Sequence, residues 1–161
     1  MEVMESDILS SVMTPSTAQL LLAALLGMLI GLEREVAGKD PSIRTFSLIA
    51  TGSCLFAVLS LEIFHEYHVG DPTRIAAQII PGIGFLGAGT IFRSKFGVSG
   101  FTTAALMWMT AGIGMAVGLG RLDLGVTATV IALFVTLFLR LVHNTVRKYR
   151  KTPYNHGEET Q

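Results

Sequence analysis

Every Asp, Glu, Lys and Arg of this chain falls outside five uncharged runs, residues 8–32, 45–61, 75–92, 96–120 and 124–139. Runs of that length suit helices crossing a bilayer core of roughly 30 Å, because lipid offers no partner to backbone groups that are not bonded internally. Half of the 161 residues are hydrophobic, 15% are charged and mean hydropathy is +0.56, which excludes an ordinary soluble domain. The pattern predicts an all-α polytopic membrane protein, a bundle of about five transmembrane helices. The second and fifth runs are short, so their boundary residues complete them by snorkelling. Pro15 interrupts the first run, and its helix is expected to start near Ser16 or Thr17 with either as N-cap.

The charges between the runs set the orientation. Arg34, Lys39 and Arg44 follow the first run, Arg93 and Lys95 the third, and Arg140, Arg147, Lys148, Arg150 and Lys151 the fifth. Only Arg74 and Arg121 occupy the alternate segments. Ten basic residues thus lie on one side and two on the other, which by the positive-inside rule places the N-terminus outside and the C-terminus in the cytoplasm. Residues 1–16 are then an external segment, 17–142 the transmembrane domain and 143–161 a cytoplasmic basic tail. Glu2, Glu5 and Asp7 replace the basic leader of a signal peptide, so the first span is expected to stay. Cys54 is the only cysteine, which excludes an intrachain disulfide and suggests a small core residue.

The third run is unusual: it holds Pro81, Gln78 and four glycines, Gly82, Gly84, Gly87 and Gly89, with Arg93 immediately after it. Pro81 removes a backbone donor and frees the carbonyl near Ala77, which lipid cannot satisfy; the third span is therefore expected to break and to sit at the centre, covered by protein. Small residues four apart at Ala23, Gly27 and Gly31 in the first span and at Gly114 and Gly118 in the fourth predict close helix packing and self-association. The loops after the third and fourth spans are very short, so these helices are expected to be antiparallel neighbours.

Few groups offer chemistry. Gly82-Ile83-Gly84-Phe85-Leu86-Gly87 matches a dinucleotide-binding string but follows no strand and lies in an apolar run. Gly97-Val98-Ser99-Gly100 resembles an intramembrane serine protease string, yet the later histidines, His143 and His156, lie in the basic tail; Ser99 is expected to cap the fourth helix. His65, Glu66, His68 and Asp71 are weak candidates for a divalent cation. No nucleophile, base and orienting group assemble, so no enzyme and no cofactor are expected. Opposite charges do converge at the basic boundary, where Glu33, Arg34 and Glu35 close the first span, Arg44 opens the second and Arg93 ends the third. The expected network pairs Glu33 with Arg44 or Arg93. Inside the spans, Gln78, Thr102 and Thr103 must bond a neighbour or line a wet cavity.

Taken in order, Gly31-Leu32-Glu33-Arg34-Glu35, Arg44-Thr45, Asp71-Pro72-Thr73-Arg74-Ile75-Ala76-Ala77-Gln78, Gly82-Ile83-Gly84-Phe85-Leu86-Gly87-Ala88-Gly89 with Arg93, and Gly100-Phe101-Thr102-Thr103-Ala104-Ala105 with Trp108 resemble the MgtC/SapB family of bacterial inner-membrane proteins. The resemblance covers about residues 17–142. It implies a multi-pass protein of the bacterial cytoplasmic membrane, connected with growth under magnesium limitation and, in some pathogens, with survival inside phagocytes. Virulence-associated members carry a cytoplasmic C-terminal domain, so the resemblance is to a short form, and Pro81 stands where the family has a small residue. Carried over, the motif residues Glu33, Arg34, Arg44, Asp71, Arg74, Gln78 and Arg93 are the functional candidates. The expected role is non-enzymatic modulation of membrane physiology or ion homeostasis, the alternative an oligomeric magnesium or proton-coupled transporter or channel, with an intramembrane enzyme last. Expected partners are the lipid bilayer, further copies of the chain and another inner-membrane complex, and no nucleic acid.

Overall fold

The computed structural model describes residues 14–68, 71, 73–95 and 97–150, with side chains as far as residue 142. In chain order the elements are α1 (Pro15–Val36), α2 (Ile43–Tyr67), α3 (Arg74–Ala88), the strands β1 (Phe92–Ser94) and β2 (Gly97–Ser99), α4 (Phe101–Gly118) and α5 (Leu122–Arg150). The first helix begins earlier than expected. Thr14 is its N-cap, accepting from the Thr17 amide at 3.3 Å, and Pro15 occupies the first turn, where a missing N–H leaves nothing unsatisfied.

Four helices, α1, α2, α4 and the stretch Leu122–Val142 of α5, are long and apolar enough to cross a membrane. The remaining helix, α3, has 15 residues and spans only about 22 Å. It runs on through Pro81 without a break. The third uncharged run is completed instead by the turn at Gly89 and Thr90 and by an antiparallel hairpin in which Arg93 pairs with Val98. The connection from α3 to α4 is thus longer than the spacing of charges suggests, although the two helices do pack together.

The centre of the bundle is α4, not α3. It packs against all four other helices, and Ile113 and Val117 are fully buried along it with Thr110. Glycines explain the arrangement. A Cβ on Gly27 would lie 2.5 Å from the Phe46 carbonyl oxygen, one on Gly31 2.5 Å from the Ile43 Cα, and one on Gly118 2.5 Å from the Cys54 carbonyl oxygen. Gly114 is pressed closer still against the Ala50 carbonyl. So α1 and α4 approach α2 backbone to backbone, the contact that lets helices associate in lipid without a hydrophobic driving force. Cys54 is buried in that seam. Gly82 and Gly84 contradict the expectation of a central third span, because nothing lies within 4 Å of a Cβ on either, and both face outward. Gly87 makes ordinary contact with Ala104 in α4, and Gly89 meets only its own chain at Leu86 and Phe85. Across the seam, the Gln19 side-chain amide donates to the Val117 carbonyl at 3.0 Å, satisfying one of the last carbonyls of α4. The outer surface of α5 is apolar and exposed, as a lipid-facing helix requires. The helix continues to Arg150, past the expected boundary at residue 142, and residues 151–161 of the expected tail lie outside the described residues, as do residues 1–13.

Candidate functional site

The last turn of α1 carries two charged residues into the protein. Glu33 is 7% exposed and Arg34 6% exposed, although both stand at the end of a helix where water is near. The Arg34 guanidinium donates from Nε and Nη2 to Glu33 Oε2. From the far side, Arg140 of α5 donates from Nη2 to Glu33 Oε1 at 2.6 Å. Both oxygens of one carboxylate are therefore committed to arginines, the charge-assisted geometry that makes a buried ion tolerable. The pairing differs from the expected one: Arg44, at the start of α2, and Arg93, on β1, are exposed and take no part, and Glu35 points to the surface. The reason is geometry, since Arg44 in the first turn of α2 and Arg93 within β1 are exposed on the rim, whereas α5 packs against α1 and brings Arg140 to it. From sequence, Arg140 counts only towards the basic tail, and its one distinguishing signal is that it lies nearer the fifth apolar run than any other tail cation.

Beside this cluster lies a cavity of about 670 Å³, walled by Arg34, Lys39, Asp40, Thr90, the hairpin residues Phe92, Val98 and Ser99, and the start of α4 from Gly100 to Thr103. Gly100 is the N-cap of α4, with φ 97°, and a Cβ there would collide with the Thr90 carbonyl. Only glycine fits, so Ser99 does not cap the helix; it ends β2 instead, and no side chain caps α4. Thr102 and Thr103 both line the cavity, Thr102 exposed and Thr103 5% exposed. Unlike Thr110 and Thr129, whose hydroxyls bond back to the carbonyls of Leu106 and Gly125, the Thr103 hydroxyl bonds to none of the described residues.

An apolar groove of about 550 Å³ runs between the first half of α2, from Thr45 to Phe56, and α3, from Ile75 to Leu86. Gly52 and Gly82 form part of its walls, and Gln78 lines it. A second pocket shares Gln78 and Ile75 with the groove and adds Asp71 and Arg74. Asp71 accepts from the Thr73 amide at 2.8 Å and from the Thr73 hydroxyl at 2.7 Å, which caps the approach to α3. Those two bonds, the amide first, hold the Asp71 carboxyl below the usual carboxylate range, and Arg74 adds to the effect. Asp71 is thereby engaged in turn structure and does not converge with His65, Glu66 and His68; among the described residues no three His, Cys, Asp or Glu side chains gather as metal ligands. His65, on α2, stands edge-on to Phe64 instead.

A bundle of apolar helices joined through glycine seams, with its ionised groups confined to the ends, defines a multi-pass helical membrane protein. The chain belongs to the MgtC family, whose profile matches residues 20–145. It is 45% identical over 122 residues to YhiD of Escherichia coli K12, covering 73% of this chain and 57% of that protein. To protein MgtC of Salmonella typhimurium LT2 it is 44% identical over 128 residues, 80% of this chain and 54% of that one. A protein of Haemophilus influenzae shares 41% over 149 residues, 86% of this chain and 62% of the relative. The chain therefore spans little more than half the length of these relatives. No solved structure matches.

Proposed function

We propose that the chain is a non-enzymatic protein of the bacterial inner membrane that modulates another membrane system or the ionic state of the cell, in connection with magnesium. The magnesium connection is supported by the description of the Escherichia coli relative, "Putative magnesium transporter YhiD". The observation that carries the modulator reading is the placement of polar groups. The interior is closed by glycine contacts around α4, and the buried charges are gathered into one ion-paired cluster at one end instead of forming a file across the membrane. A protomer of this kind acts through its surface, by helix contact. In this reading the basic end faces the cytoplasm, as the ten-to-two division of Lys and Arg favours. Cysteines introduced at Ser6 and Thr160 in a Cys54→Ala background then label from opposite sides of the membrane.

A second reading, an oligomeric transporter, is favoured by the groove between α2 and α3, which places Gln78 on a lipid-facing wall with Asp71 and Arg74 at its mouth. A second copy covering that groove would enclose a polar path. Purified protein in sealed liposomes, assayed for magnesium and proton flux, separates the two. The modulator reading expects no flux above empty liposomes; robust flux without any partner overturns it.

A further inference from the structure

The buried cluster at the basic end does not balance its own charge. One carboxylate, Glu33, faces two guanidinium groups, Arg34 and Arg140, so the cluster carries a surplus of one positive charge. Arg140 is partly exposed and shares its charge with water, whereas Arg34 is 6% exposed and lines the cavity. Its Nε and Nη2 are taken by Glu33, and Nη1 is not held by any of the described residues. A guanidinium at the wall of a cavity, with one nitrogen not held by the protein, is a ready partner for an anion.

Two further features address the same space. The first-turn amides of α4, at Phe101, Thr102 and Thr103, have no capping side chain, and an 18-residue helix concentrates about half a positive charge at that terminus. Thr103, 5% exposed, lines the cavity, and its hydroxyl makes no hydrogen bond to the described residues. The other charged residues lining the cavity, Lys39 and Asp40, offset each other and add no net charge to its wall. The cavity, at about 670 Å³, has room for more than a bare ion, and its hairpin wall of Phe92 and Val98 is apolar.

We infer that this cavity binds a phosphate group, with Arg34 supplying charge, Thr103 a hydroxyl donor and the start of α4 its backbone amides. The same chemistry is offered by free phosphate and by the headgroup of an anionic phospholipid.

The test uses the full chain in neutral maltoside detergent, with thermal unfolding measured against inorganic phosphate and, separately, against phosphatidylglycerol in mixed micelles. Sodium chloride at matched ionic strength is the control for screening. Saturable stabilisation by phosphate, beyond that of chloride, is expected. Thr103→Val keeps the shape of the side chain and should weaken phosphate binding about tenfold, as expected for the loss of one hydrogen bond to a charged ligand, while leaving the unliganded melting temperature unchanged. Thr103→Ser keeps the hydroxyl and should retain binding, which separates loss of the ligand from loss of the fold. If phosphatidylglycerol stabilises and phosphate then adds nothing, the group comes from lipid; if phosphate alone stabilises, it comes from solution. A response to both ligands no greater than to chloride, or equal binding by Thr103→Val and the wild type, overturns the assignment.

Discussion

Removing the carboxylate of Glu33 tests whether the charged end of α1 is a cooperative cluster or a set of independent surface anchors. Glu33→Gln preserves volume but leaves Arg34, 6% exposed, without its counter-ion. Breaking a buried pair from one side costs about 3 to 5 kcal/mol, a large share of the roughly 5 to 15 kcal/mol that holds a typical domain. Arg140→Gln is milder. The Arg140 side chain is 31% exposed, and Glu33 keeps Arg34 when it is gone, so the loss should be about 1 kcal/mol. The double variant should lose less than the sum by about 0.5 to 3 kcal/mol, because Arg140 has no carboxylate left to lose once Glu33 is neutral. Reversible unfolding in mixed micelles by titration with sodium dodecyl sulfate, followed by circular dichroism, measures all four corners of the cycle. The matching cycles of Glu33 with Arg44 and with Arg93 should be additive within about 0.5 kcal/mol, since neither arginine reaches the carboxylate. A Glu33→Gln loss no larger than that of Arg140→Gln, or coupling to Arg44 as strong as to Arg140, would refute the cluster.

The glycine seams make a contrast between two positions. Gly114→Ala forces a methyl group against the Ala50 carbonyl and should destabilise by about 1 to 3 kcal/mol, whereas Gly84→Ala enters open space and should leave the folded yield in mild detergent unchanged; equal yields would show that the α2–α4 seam does not hold the bundle. Asp71 provides a pH dependence. Its carboxyl titrates below the ordinary value of 3.8, so the stabilisation it gives the start of α3 is present in full above that value and is lost as pH falls through the lowered one. Amide exchange at Thr73 and the first turn of α3 should therefore rise only under strong acid in the wild type, and already at neutral pH in Asp71→Ala; protection that is the same in both would dismiss the capping role.

Fold class was legible because charge is costly in lipid. Five uncharged runs are enough to mark the helical segments, and the glycines at 27, 31, 114 and 118 announce the seams they form. Position within the bundle was not legible in the same way. A glycine permits close approach but does not require it: Gly82-Ile83-Gly84 and Gly112-Ile113-Gly114 are the same string, yet Gly82 and Gly84 face outward while Gly114 is pressed against Ala50. The hairpin was hidden for a related reason: 75–92 has the length of a span, and nothing in its hydropathy reveals that the helix stops at Ala88.

At the charged end, composition identifies Glu33 and Arg34 as residues that need an explanation, but a partner 107 positions away depends on how α5 returns along α1. The same dependence explains Thr103. Its sequence neighbour Thr102 is chemically identical and borders the same cavity, and only the packing of α4 leaves one residue exposed and buries the other to 5% exposure beside Arg34. Apolar segments are thus recorded locally in the chain, because lipid acts on each residue independently. The polar site is recorded nowhere locally, because it is assembled from the ends of three helices and a hairpin that the glycine seams bring into register.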